Sequence, residues 1–199
     1  MIGRRSFLAA SVAAFPVLAR AQDAATAVVD RFHATLLAVM RDARSLGIRG
    51  REQRVRAAMT EAFDLPAMAR IAVGPGWTGF SLAQQEAVAT AFADWSIATY
   101  ASRFDGFSGE SFSTGGTQAL QNGDTLVRTT LNRPRDAAVS LNYLVRNTPR
   151  GLRIVDVYLT GTISELASRR SEFAAILRDG GPDRLAAELR QRTAGLLRG

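Results

Sequence analysis

From about Ala24 to Leu46 the chain sets Val28, Val29, Phe32, Leu36, Val39, Met40 and Ala43 at intervals of three and four residues. That period lays one apolar stripe along a helix. Gly47 and Gly50 are expected to end it. A second, shorter helix is predicted from Glu52 to Phe63, with Val55, Met59 and Phe63 on one side. Asp64 then stands where a side chain caps a short helix through Ile71, and Pro66 falls at an early position where its missing N–H costs little. Ser81 followed three residues later by Gln84 reads as a capping box. It opens a long helix to about Phe104, with Val88, Phe92, Trp95, Thr99 and Phe104 along one face.

After Gly106 the period shortens to two. Glu110 to Ala119, Thr125 to Asn132, Ala138 to Arg146 and Leu152 to Leu159 read as strands, parted by Asn122-Gly123-Asp124, Pro134-Arg135-Asp136 and Pro149-Arg150-Gly151. Strands joined so closely pair only as an antiparallel meander. Helices are predicted again from Ile163 to Leu177 and from Pro182 to Leu197, with Gly180-Gly181 between them. The sum is one α+β domain: a four-stranded antiparallel meander sheet covered by N-terminal and C-terminal helices.

The stretch GPGWTGF, residues 74–80, carries glycines at the G-x-G-x-x-G spacing. A dinucleotide loop needs a strand before it and a helix starting at its second glycine. Here a helix precedes it, Pro75 removes one amide, Trp77 is bulky where backbone must approach a phosphate, and the next helix starts only at Ser81. The reading is a helix-to-helix turn anchored by a buried Trp77.

The beginning of the chain changes the picture. Arg4 and Arg5, an apolar run from Phe7 to Leu18, and Ala19-Arg20-Ala21 have the order of an export signal, so residues 1–21 are expected to be removed and residues 22–199 to form the domain. Arg4-Arg5-Ser6-Phe7-Leu8 also fits a twin-arginine signal. The expected compartment is the periplasm. All 25 basic residues are arginine; without Arg4, Arg5 and Arg20, 22 remain against 18 acids. They are scattered singly, unlike a stripe that neutralises a phosphate backbone, which argues against a nucleic-acid partner.

Candidate chemistry is sparse. With no cysteine and one histidine, His33, the chain offers no metal-binding set, and His33 reads as a helix residue near the apolar face. Gly106-Phe107-Ser108-Gly109 misses the nucleophile elbow, and no histidine follows it. Asp156 and Tyr158 are expected to share a face of the last strand with Ile154, so a carboxylate and a phenol would point into whatever that face covers. Such a pair suits proton transfer; equally, Asp156 pairs with an arginine or caps a helix.

On alternate positions of the third strand Val139, Leu141, Tyr143 and Val145 form an apolar face. Together with Ile154, Tyr158, Phe92, Trp95, Tyr100 and Phe104, and with Trp77 at the turn, they are candidates to line a pocket for a hydrophobic guest. The same side chains equally suit a solid core. Arg103, Arg146 or Arg153 would be placed to meet a phosphate at a cavity mouth.

Gly76-Trp77, Gln84-Gln85, Phe92, Thr99-Tyr100-Ala101, Phe104, Gly109-Glu110, VRTTLN (127–132), VSLNYLV (139–145), GLRIVDVYLTG (151–161), Phe173 and Gly180-Gly181 together resemble the MlaC or toluene-tolerance family of periplasmic lipid-carrying proteins. The segment GTISELASRRSEF (161–173) is similar to the HpnM branch, associated with hopanoids. The resemblance implies a cone-shaped, MlaC-like fold of the NTF2-like kind and a carrier with neither cofactor nor metal. It also implies a hopanoid or phospholipid ligand, an inner-membrane lipid transporter complex as partner, and an outer-membrane acceptor complex. Two other classes remain open at this point: a small NTF2-like enzyme using Asp156 and Tyr158 on a hydrophobic substrate, and an interaction module that holds no ligand.

Overall fold

The computed structural model describes residues 15–198. The expected export signal therefore lies largely outside the described residues. Helix α1 spans Phe15–Arg41, α2 Ala43–Ala62 and α3 Leu65–Val73. A 3-10 turn, Gly74–Gly79, leads to α4, Leu82–Arg103. Strands β1 (Ser111–Ala119), β2 (Thr125–Asn132), β3 (Val139–Thr148), β4 (Gly151–Leu159) and β5 (Ile163–Ser164) follow, and α5, Glu165–Leu196, closes the chain.

The α1 stripe is buried as its spacing demands: Val29, Leu36 and Val39 are fully covered and Phe32 nearly so. Each such side chain contributes about 1.5–3 kcal/mol through burial. Both predicted caps are formed. The Asp64 carboxylate accepts the Ala67 N–H at 3.2 Å, and Ser81 and Gln84 bond each other's backbone amides at 3.2 and 3.1 Å. The first helix breaks earlier than expected, at Asp42, and Gly47 bends α2 rather than ending a helix. Its φ of +57° is one that side-chain-bearing residues avoid. Gly180-Gly181 likewise kinks α5, which runs on as one element, with Gly181 at φ +67°.

The sheet has five strands in the order β1-β2-β3-β4-β5, not four. Thr160 and Gly161, both at positive φ, turn the chain back so that Ser164 pairs with Tyr158 and Ile163 with Leu159. Two residues are too few to show a period, so the predicted helix start at Ile163 gives way to Glu165. Helix α1 packs across β1, β2 and β4, while α4 packs against α2, α3 and α5.

One irregularity decides which side chains face the helices. In the β3–β4 ladder Leu144 lies opposite Asp156 and Val145 opposite Ile154, leaving Val155 as an extra residue. Such a bulge shifts the alternation of the strand by one. Ile154 and Val157 therefore share the helical face, and Asp156 and Tyr158 do not share it.

Candidate functional site

Between the helices and the exposed end of the meander lies a cavity of about 600 Å³ that opens to solvent. Its walls are apolar. Helix α4 contributes Phe92, Trp95, Tyr100 and Phe104, the sheet Leu131, Val139, Leu141, Val157 and Leu159, and α5 Leu166. Met40, Met59 and Met68, one from each of the first three helices, complete it with Phe63. The rim is charged: Arg103, Asp105, Glu110, Arg133, Asp136, Glu165 and Arg169. A pocket of this size, apolar within and polar at the entrance, suits a hydrophobic guest with a polar end.

Six of the eleven expected lining residues are brought together here: Phe92, Trp95, Tyr100, Phe104, Val139 and Leu141. Tyr143, Val145 and Ile154 lie in the closed core, each at most 1 % exposed. Trp77 is half-buried and away from the cavity, packed on Phe80 with ring centroids 5.8 Å apart. Its carbonyl accepts a bond from the Gln85 amide at 3.3 Å, so GPGWTGF is a turn between helices.

Tyr158 and Asp156 require a correction. The bulge at Val155 sends Val157 and Leu159 into the cavity and these two away from it. Asp156 accepts from the Val157 amide at 2.8 Å, the Ser164 hydroxyl at 2.6 Å and the Leu166 amide at 3.4 Å. Burial pushes its carboxyl up, while those three bonds pull it down; the net displacement is upward. It fastens the start of α5, and with it the Leu166 wall, instead of facing a substrate.

The methionines were visible in the sequence only as members of helical stripes. Their unbranched, polarizable side chains adapt to a guest of variable shape. Trp95 is held from outside: the Arg169 guanidinium lies 4.4 Å from its ring centroid and that of Arg192 5.9 Å. Arg169 also pairs with Glu165 at 3.3 Å and Glu172 at 3.4 Å, and Arg192 pairs with Glu172. Burial raises Glu172, yet these two arginines together leave its carboxyl below the ordinary value. Tyr100 is pushed up by burial first and by Glu165 second, with Arg103 opposing.

Of the three arginines expected near a mouth, Arg103 alone lines the cavity. Arg146 is engaged by both oxygens of Asp124, at 2.8 and 2.7 Å. Arg153 lines a separate groove between α1 and α2. His33 is buried, its Nε2 3.0 Å from the Tyr143 hydroxyl and its ring stacked on Phe112 at 3.7 Å. Burial lowers its pKa to about 4, so it is neutral at neutral pH. Among the described residues no group of three His, Asp or Glu could hold a metal ion. Among them, too, no helix is long and apolar enough to cross a membrane.

An α+β domain with a solvent-open apolar cavity is the architecture of a lipid-binding fold. The chain belongs to the MlaC family, whose model, described as MlaC protein, matches residues 30–191. Among solved structures it is similar to a phospholipid-binding protein from Ralstonia solanacearum, determined in complex with a phospholipid. The TM-score is 0.76 at 25% identity, over 86% of this chain and 98% of that one. Comparison with curated proteins gives no match.

Proposed function

We propose that the protein is a periplasmic lipid carrier, which shields the hydrocarbon of a hopanoid or phospholipid in the cavity and ferries it between membranes. The observation that carries this reading is the cavity of about 600 Å³, walled by apolar side chains and open at one end. Hiding a methylene from water is worth about 0.8 kcal/mol, so a guest needs only a dry wall and an entrance, without covalent chemistry. The phospholipid held by the Ralstonia solanacearum protein supports the same ligand class here. Phe92, Trp95, Tyr100, Phe104, Val139 and Leu141 contact the hydrocarbon, and Arg103 at the mouth meets a phosphate.

As an auxiliary component of an ABC-type or related lipid transport system, the protein exchanges its cargo with an inner-membrane transporter complex and an outer-membrane acceptor complex. Residues 161–173, similar to the HpnM branch, support a hopanoid as the alternative guest. The test is transfer between two vesicle populations separated by a membrane permeable to protein only. Labelled lipid should reach the acceptor vesicles at a rate that rises with protein concentration. A rate equal to that without protein contradicts the reading.

A further inference from the structure

The charges around the mouth are not equivalent. Arg169 is committed to Glu165, Glu172 and the Trp95 ring. Arg133 donates twice to the Ala137 carbonyl, at 3.0 and 2.7 Å, and faces Asp136 at 3.9 Å. Three rim groups remain, all in the segment that follows α4. Arg103, Asp105 and Glu110 line the cavity and form no ion pair within 4.0 Å among the described residues. Glu110 uses one carboxylate oxygen, which accepts the Ser108 amide. Its other oxygen and both of Asp105's have no partner among the described residues. Arg103 has a favourable place at the C-terminal end of α4, but its guanidinium donates no hydrogen bond there.

One free cation beside two free carboxylates is a pattern with a complement. A head group carrying only a negative charge satisfies Arg103 and is repelled by Asp105 and Glu110. A head group with no charge satisfies none of the three. A phosphate linked to a primary amine satisfies all of them: the guanidinium takes the phosphate oxygens, and the ammonium donates to the carboxylates. We propose that the cavity mouth selects a lipid with a zwitterionic head group, its phosphate on Arg103 and its amine between Asp105 and Glu110. The inference rests on the carrier reading and narrows it, favouring an aminophospholipid over an anionic phospholipid or an uncharged hopanoid.

The probe is an equimolar mixture of phosphatidylethanolamine and phosphatidylglycerol with identical acyl chains, presented as vesicles at low ionic strength. The bound lipid is identified by native mass spectrometry. The wild-type protein should carry phosphatidylethanolamine in about fivefold excess, the upper range for exposed ion pairs. The excess should shrink at high salt as these pairs are screened. The double variant D105N/E110Q should keep its total loading and thermal midpoint while the ratio falls to one or below. Arg103→Gln should lower loading of both lipids alike, because both carry the phosphate. Equal loading by the wild type, or a ratio unmoved in D105N/E110Q, overturns the selection and leaves the carrier reading standing. A wild type that takes up neither lipid overturns both.

Discussion

The Ser164 hydroxyl donates to the Asp156 carboxylate at 2.6 Å and accepts the Ala167 amide at 3.0 Å, joining the outer face of the sheet to the first turn of α5. Two residues beyond Ser164, Leu166 enters the cavity wall. A carboxylate on the far side of the sheet thus sets the position of a lipid-facing side chain.

Asp156→Ala removes an acceptor used by three donors, two of them backbone amides. The expected loss of stability is about 1–3 kcal/mol. Urea denaturation should show a lower midpoint with an unchanged slope, and amides of residues 163–167 should exchange faster than in the wild type. An unchanged midpoint would mean that α5 is held by its other contacts alone.

His33 makes stability depend on pH. Its folded pKa of about 4 lies below the model-compound value of 6.5, so the unfolded chain binds the extra proton between those values. Stability contributed by neutral His33 is complete above 6.5 and is lost as pH falls towards 4, by about 3 kcal/mol at most. Asp156, pushed up by burial, works with the opposite sign, its contribution being lost as pH rises through its folded pKa. Thermal unfolding from pH 7 to pH 4.5 should show the wild-type midpoint falling, and His33→Gln should flatten that fall while costing stability at pH 7 through the lost Tyr143 bond.

The helical half of the cavity was legible in the sequence because Phe92, Trp95 and Phe104 recur along one face of α4, whose capping box fixes its start. Val139 and Leu141 were legible through alternation. Tyr158 was not, because Val155 adds one residue to β4 and the run LRIVDVYL contains no glycine or proline to mark the bulge. The same shift explains why Asp156 was placed in the pocket when it lies behind it. Met40, Met59 and Met68 stand at stripe positions that look alike whether the space before them is filled or empty, since a period reports facing and not filling. Gly47 and Gly180-Gly181 mark real departures from helical geometry, yet the chain bends there and continues.

The cavity itself is the central claim, and filling it is the most direct test. Val139 is half-buried in the wall, so Val139→Trp projects an indole into open space without overpacking the core. Native mass spectrometry of the wild type incubated with phospholipid vesicles should show a bound lipid, and Val139→Trp should show bare protein with a thermal midpoint close to that of the wild type. Lipid retained at full occupancy by a folded Val139→Trp would contradict the account, because the guest would then lie elsewhere.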